Sequence, residues 1–107
     1  MPMVKEINSP TELETALKEA GGKLVVIDFY ADWCGPCKQI APKILAMSDE
    51  LSDVVFLKVN VDDCDEIAAD YDVSAMPTFV FLKDGKKVDN LIGANVDQLK
   101  SKIASNK

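Results

Sequence analysis

The alternation of apolar and polar positions along the chain predicts an ordered series of strands and helices. Residues 23–31 form an almost continuous apolar run that is too short and too rich in β-branched residues for a helix. Such runs are typical of strands covered on both faces, so this segment is predicted to be the central strand of a sheet. Residues 54–61 show the same pattern and predict a second buried strand.

The first helix is predicted between the N-terminus and the central strand, and sequence signals mark both of its ends. Ser9 and Glu12 have the spacing of a capping box, and Pro10 lies in the first turn. Gly21 and Gly22 follow the last turn and are predicted to end the helix. The predicted buried stripe consists of Leu13, Ala16, Leu17 and Ala20.

A second helix is predicted from about Cys34 onward, and Pro42 interrupts its apolar spacing. Because proline removes one backbone donor and crowds the preceding turn, we expect a kink there rather than the end of the helix. The predicted apolar positions of this helix are Ile40, Ala41, Ile44, Leu45, Ser48 and Leu51.

The second half of the chain adds a short helix, a hairpin and a last helix. Residues 62–73 predict a helix that begins with acidic residues, which favour a helix N-terminus. Residues 78–92 predict a hairpin, because Asp84 and Gly85 form the two-residue turn that type I′ geometry favours. A last helix is predicted to start near Asn95, and its apolar stripe is Val96, Leu99 and Ile103.

Residues 3–7 could add one more strand, which gives the order strand, helix, strand, helix, strand, helix, hairpin, helix. This order predicts an α/β fold with helices on both faces of a mixed sheet. The chain has 107 residues, of which 48% are hydrophobic, which is enough for a single core. We therefore expect one domain over residues 1–107, without internal repeats or linkers.

The charge balance bears on the kind of partner. Twelve lysines, with no arginine, stand against 18 acidic residues, for a net charge of -6. The chain thus lacks a basic footprint for nucleic acid or anionic lipid, and we expect its partners to be proteins. Residues 1–10 lack the apolar run of a signal peptide, and no later stretch approaches the roughly 20 apolar residues of a membrane span. We expect a soluble, intracellular protein.

The candidate chemistry lies in Cys34 and Cys37, which enclose Gly35 and Pro36. Cys34 follows the predicted central strand at the start of the next helix. Free backbone N–H groups and the helix dipole there favour a thiolate, so we expect Cys34 to be an exposed nucleophile with a pKa below the roughly 8.5 of a free cysteine. Cys37 lies within the first turn, more shielded from solvent, and is expected to resolve a mixed disulfide by attacking Cys34.

Two other interpretations of the pair are open. A zinc site needs four ligands, whereas the chain has no histidine and only one further cysteine. A structural disulfide closing so short a loop would restrain little of the unfolded chain. A Cys-x-x-Cys pair beside a strand–helix–strand pattern is typical of redox motifs, so the sequence favours redox catalysis.

Four segments and Pro42 resemble the thioredoxin family in order and spacing over essentially the whole chain; the segments are DFYADWCGPCK, KVNVDD, AMPTFVFLKDG and IGAN. The resemblance implies a thioredoxin fold, with a central mixed five-stranded sheet flanked by four helices. It also implies a general protein-disulfide reductant that binds no cofactor and receives electrons from NADPH through thioredoxin reductase. Disulfide-containing proteins such as peroxiredoxins would be its other partners. By the same resemblance we expect a cytoplasmic monomer, with nuclear localisation left open.

The resemblance also implies roles for residues outside the pair. Asp28 corresponds to the family's buried carboxylate, and as the one charge in its apolar run it should have a raised pKa and accept the proton of Cys37. An exposed strand-end aspartate is the alternative. Lys58 resembles the lysine partner of this carboxylate, although the pattern fits a solvated strand lysine nearly as well.

Met76 and Pro77 resemble the family's cis-proline turn, which faces the cysteines. A surface for partner backbones is expected around Cys34, because small and apolar residues permit close approach. Gly93 would also fit an ordinary strand-end glycine. This predicted surface comprises Trp33, Gly35, Pro36, Met76, Gly93 and Ala94.

Cys64 resembles the additional cysteines of animal thioredoxins. The pattern favours a small residue at a helix start, and a regulatory thiol or an intermolecular disulfide is the alternative. Asp32 stands at a position that varies in the family and bears on surface charge. A second class of function stays open as well, namely a binding module whose affinity depends on the state of the cysteine pair.

Overall fold

The two apolar runs form the interior of one sheet. The computed structural model of the protein describes residues 3–107, and its elements follow the predicted order. The strands are β1 (Val4–Glu6), β2 (Leu24–Tyr30), β3 (Val54–Asn60), β4 (Thr78–Lys83) and β5 (Lys86–Ile92), and the helices are α1 (Pro10–Ala20), α2 (Gly35–Glu50), α3 (Asp65–Asp70) and α4 (Val96–Asn106).

The five strands lie in the order β1-β3-β2-β4-β5, which places β2 at the centre as predicted. Strand β3 is parallel to both of its neighbours, β1 and β2. Strand β4 is antiparallel to β2 and to β5. The predicted mixed sheet is therefore confirmed.

Alternate side chains of β2 enter two separate cores, because successive residues of a strand point to opposite faces. Val25, Ile27 and Phe29 pack with residues of α1 and α3. Leu24 and Val26 pack with residues of α2 and α4. Nearly the whole strand is buried, which explains its continuous apolar pattern.

The ends of α1 form largely as predicted. The Ser9 hydroxyl accepts a hydrogen bond from the Glu12 backbone N–H at 3.1 Å. The Glu12 carboxylate accepts from the backbone N–H of Asn8, one residue before the cap, at 3.2 Å. Gly21 ends the helix with φ 58. Within the predicted stripe, Leu17 is only partly buried.

Helix α2 continues through Pro42, as predicted. Two of the apolar positions that keep the helical spacing, Ala41 and Leu45, are exposed. The buried face instead follows the 3.6-residue period through Ile40, Ile44 and Met47. Ala41 and Leu45 lie one position further around the helix, where they line a groove rather than the core. Within residues 3–107, no helix is long and apolar enough to cross a bilayer.

The β4–β5 turn has the predicted type I′ character, with φ 53 at Asp84 and φ 77 at Gly85. Aspartate tolerates this left-handed conformation better than most residues, and glycine adopts it without a steric penalty. The chain can therefore reverse in two residues and keep β4 and β5 paired.

Replacing Gly85 with alanine should lower the free energy of unfolding by about 1–2 kcal/mol, because a Cβ atom disfavours left-handed backbone. There is open space around the position, so the effect would come from the backbone alone. Gly22→Ala is the matched control, since its backbone is outside the left-handed region and its Cβ would meet ordinary contacts. Denaturant unfolding of the disulfide form measures the stability of both variants. Equal free energies of unfolding for the parent and Gly85→Ala would contradict the turn assignment.

Candidate active site

The cysteine pair lies at the start of α2, shortly after the end of the central strand. Strand β2 ends at Tyr30, and Cys34 is the N-cap residue of α2. Cys34 and Cys37 form a disulfide with their Cα atoms 5.3 Å apart. Val61 and Met76 pack against the cluster that contains the pair.

The two sulfur atoms differ in their backbone surroundings. The Cys37 backbone N–H donates to Cys34 Sγ at 3.2 Å. The Lys38 backbone N–H donates to the Cys34 carbonyl oxygen at 3.3 Å, as the first intrahelical bond. Cys34 Sγ thus lies at the helix start, where N–H groups can stabilise negative charge.

The predicted difference in exposure between the two cysteines is wrong for the disulfide form. Both residues are 4% exposed. In this form Cys34 lies in the same apolar cluster as Cys37 and Ala31. Asymmetry between the sulfurs therefore comes from the backbone donor to Cys34 and not from accessibility.

Asp28 is buried, with an exposed fraction of 6%. Its carboxyl oxygen Oδ1 has no hydrogen-bond partner among the described residues. Burial raises the pKa of Asp28 from its ordinary 3.8 to about 7, the Glu6 carboxylate adds to the rise, and the Lys58 ammonium group opposes it. The predicted burial is confirmed, and the shift of the pKa has the predicted direction.

Asp28 and Cys37 line the same cavity, of about 160 Å³. Ala41 and Lys58 contribute to its wall. A carboxyl group that is half ionised near neutral pH thus lines the same cavity as the second cysteine. This arrangement allows a proton to pass between them, directly or through water.

Lys58 stands beside Asp28 in the parallel pairing of β2 and β3. Its Nζ atom lies 3.8 Å from Glu6 Oε1 and 5.6 Å from the centre of the Tyr30 ring. The side chain is about half-buried, with 40% of its surface exposed. Lys58 is therefore neither a freely solvated lysine nor a partner of Asp28 alone.

Trp33 forms the most exposed aromatic surface beside the pair, at 68%. Its indole N–H donates to Asp62 Oδ2 at 3.0 Å. Asp62 is itself held, because its backbone N–H donates to Asn60 Oδ1 at 2.9 Å. Gly35 and Pro36, in the first turn of α2, are exposed as well.

The Met76–Pro77 peptide bond is cis, as predicted. Met76 packs against the cysteine cluster, and Pro77 is buried. The Gly93 backbone N–H donates to the Pro77 carbonyl oxygen at 2.9 Å, which joins the two loops. Gly93 has φ 107 and follows the end of β5, and Ala94 beside it is exposed.

Cys64 lies apart from the pair, as the N-cap residue of α3. It is buried, and its thiol donates to the Ile7 carbonyl oxygen at 3.6 Å. Burial raises the pKa of the Cys64 thiol, and nearby carboxylates, Asp63 first, raise it further. These surroundings fit the interpretation of a small buried residue at a helix start.

The sequence reasoning missed Asp62, Asn60, Glu6 and Tyr30. A signal for Asp62 was present, because a carboxylate directly after a buried strand near a tryptophan can meet the indole donor. Glu6 carried no such signal, since only strand register brings it beside Lys58. Within the described residues, no group of three or more metal-binding side chains is arranged to hold an ion.

A Cys-x-x-Cys disulfide at a helix start, with a buried carboxyl group lining the cavity beside it, is the site of a dithiol–disulfide oxidoreductase. The thioredoxin family model matches residues 4–105, and the chain belongs to the thioredoxin family.

Known relatives agree over nearly the full chain. A thioredoxin of Equus caballus is 52% identical over 101 residues, covering 94% of this chain and 96% of the relative. A crystal structure of Fasciola hepatica thioredoxin has a TM-score of 0.95 and 48% identity, covering 97% of this chain and 100% of the other. A structure described as the basis of the thiol resolving mechanism in yeast mitochondrial 1-Cys peroxiredoxin via glutathione/thioredoxin systems has a TM-score of 0.88 and 38% identity, covering 95% and 94%.

Asp28→Asn should remove a pH dependence of stability. Between pH 3.8 and about 7 the folded protein holds the Asp28 proton more tightly than the unfolded chain does, so stability decreases as the pH rises. From pH 5 to pH 8 the unmodified protein should lose about 2–3 kcal/mol more than the variant. Denaturant unfolding of the disulfide forms measures this, with exposed Glu14→Gln as the control. Parallel pH curves for the parent and Asp28→Asn would contradict the raised pKa.

Proposed function

We propose that the protein reduces disulfides of many partner proteins, with Cys34 as the nucleophile and Cys37 as the resolving cysteine. The observation that carries this division of labour is the hydrogen bond from the Cys37 backbone N–H to Cys34 Sγ at 3.2 Å. In the reduced protein the same donor and the helix dipole would favour the thiolate of Cys34.

The cycle transfers two electrons to the partner. The Cys34 thiolate attacks one sulfur of the partner disulfide, forms a mixed disulfide and releases the other partner sulfur as a thiolate. Cys37 then attacks Cys34 Sγ, which forms the Cys34–Cys37 disulfide and releases the second partner thiolate. The partner is reduced and gains two protons overall, and the cysteine pair is oxidised.

Asp28 is proposed to accept the Cys37 proton as the resolving attack begins. Support comes from the shared cavity and from a pKa of about 7, near which a carboxylate is present yet basic enough to take a proton. Lys58 is proposed to stabilise the ionised form of Asp28, which it stands beside in register.

The surface around Cys34 is proposed to receive the partner backbone. Exposed Trp33 and open space at Gly35 and Gly93 would let a chain approach closely. The bond between Gly93 and Pro77 holds the two bordering loops together. The proposed surface comprises Trp33, Gly35, Pro36, Met76, Pro77, Gly93 and Ala94.

Family membership supports the proposed electron source and partners. NADPH would reduce the Cys34–Cys37 disulfide through a flavoprotein thioredoxin reductase, so the protein itself would bind no cofactor. Peroxiredoxins are proposed among its targets, in line with the subject of the yeast structure. We propose that it acts as a single-domain monomer in the cytoplasm, carrying electrons that maintain cell redox homeostasis, with neither nucleic acid nor membrane as a partner.

Catalytic amounts of the protein, supplied with NADPH and thioredoxin reductase, should drive the reduction of insulin disulfides with NADPH consumption. Cys34→Ser should reduce this rate to that of the mixture without the protein, because the nucleophile is lost. A pure redox-dependent binding module would not accelerate the reaction. Absence of turnover with both bacterial and animal reductases would contradict the proposed electron carrier.

Cys37→Ser should trap a long-lived mixed disulfide, since attack stays intact while resolution is lost. Cys34→Ser should trap very little, and Cys64→Ser should leave turnover almost unchanged because its thiol is buried away from the pair. Mass spectrometry of complexes captured by each variant measures the outcome. Predominant trapping by Cys34→Ser would reverse the assignment, and loss of turnover in folded Cys64→Ser would bring a third thiol into the cycle.

A further inference from the structure

A row of charged side chains crosses three adjacent strands on the face of the sheet that α2 covers. Glu6 of β1 is in register with Lys58 of β3, and Lys58 is in register with Asp28 of β2. The row two residues earlier is apolar, with Val4, Phe56 and Val26 in the same register. On this face of β1, β3 and β2, the charged row therefore lies at the end of the strands that is nearer the cysteine pair.

Glu6 holds two groups at once. The Tyr30 hydroxyl lies 2.9 Å and 2.7 Å from the two Glu6 carboxylate oxygens, and donates to this carboxylate. Lys58 Nζ lies 3.8 Å from Glu6 Oε1 and over the Tyr30 ring. The Lys58 ammonium group is thus drawn toward the outer strand, while Asp28 Oδ1 has no hydrogen-bond partner among the described residues.

The other groups around Asp28 do not duplicate this arrangement. On the side of α2, Cys37 and Lys38 line the Asp28 cavity, and Asp32 lines it from the loop before the helix. Strand β4 places apolar Phe79 opposite Asp28. Helix α4 contributes apolar Leu99 and Ile103 to the core on this face. None of these residues forms an ion pair with Lys58 in the described part of the chain, whereas Glu6 does.

We propose that Glu6 is a positioning residue of the redox site, which acts by holding the Lys58 ammonium group away from Asp28 with the help of Tyr30. The inference rests on the proposed function of Asp28 as the proton acceptor for Cys37. It assigns to the edge strand β1 the task of limiting how far Lys58 stabilises the Asp28 carboxylate.

Two effects of Glu6 act in the same direction. Its negative charge disfavours ionisation of Asp28 across two strand spacings, about 10 Å. Its ion pair and the Tyr30 ring also restrain Lys58, whose charge would otherwise favour ionisation of Asp28. Both effects keep Asp28 a stronger base, suited to receive the proton of a thiol.

Glu6→Gln tests the proposal, since the amide keeps an acceptor for the Tyr30 hydroxyl and removes the charge. The pKa of Asp28, followed by the carboxyl ¹³C resonance in the disulfide form and assigned with Asp28→Asn, should fall by about 0.5–1 unit. Glu6→Asp should recover part of the shift, because it restores the charge. Glu14→Gln removes one exposed carboxylate elsewhere and should leave the Asp28 titration unchanged.

A Lys58→Met background separates the restraint of Lys58 from direct repulsion. In this background, Glu6→Gln should lower the pKa of Asp28 by less than half as much as it does when Lys58 is present, because no ammonium group remains to be positioned. An unchanged Asp28 titration in Glu6→Gln, or an effect of full size without Lys58, would overturn the proposal. This resonance is measured without turnover. Failure of the proton-acceptor role would instead appear as an Asp28→Asn variant whose pH profile of disulfide reduction matches that of the parent.

Discussion

Strand β2 is buried on both faces, so a polar side chain on it has neighbours only from the sheet and the covering helices. Asp28 is such a polar residue, and it lies two residues before the end of the strand and six before Cys34. Because the strand is central, its side chains belong to both cores, and α2 packs into one of them, while the cysteine pair at the start of α2 packs in a third cluster with Ala31. The sulfur pair and the carboxyl group therefore keep a fixed relation without direct bonding between them.

This constraint makes the site costly in stability but useful in chemistry. An ionised carboxylate at Asp28 lacks solvent, and the neighbouring lysine is shared with Glu6. The cost is what brings the proton affinity of Asp28 close to neutral pH. A fully paired carboxylate would stabilise the fold more and would be a poorer base for a thiol proton.

Most of the fold was predictable because local signals agree with tertiary burial. The capped helix α1, the Asp84–Gly85 turn and the two apolar runs each specify an element by nearby residues. Ala41 and Leu45 keep the apolar spacing of α2 but are exposed, because that spacing is compatible with two neighbouring faces of the helix and only the packing partner selects one. Register between strands distant in sequence was not accessible, so the place of Glu6 beside Lys58 could not be predicted, and only the family resemblance linked Lys58 to Asp28.

The equal burial of the two cysteines also clarifies what a sequence motif can specify. The Cys-x-x-Cys spacing sets which residue occupies the N-cap and which lies in the first turn, and that order determines which sulfur accepts the backbone N–H. It does not set exposure, which depends on Met76, Val61 and the state of the bridge. Reduction would break the S–S bond, whereas the backbone N–H of Cys37 belongs to the first turn of α2. The difference in backbone hydrogen bonding between the two sulfurs can therefore persist through the redox cycle, while the exposure of the sulfurs can change between the disulfide and dithiol forms.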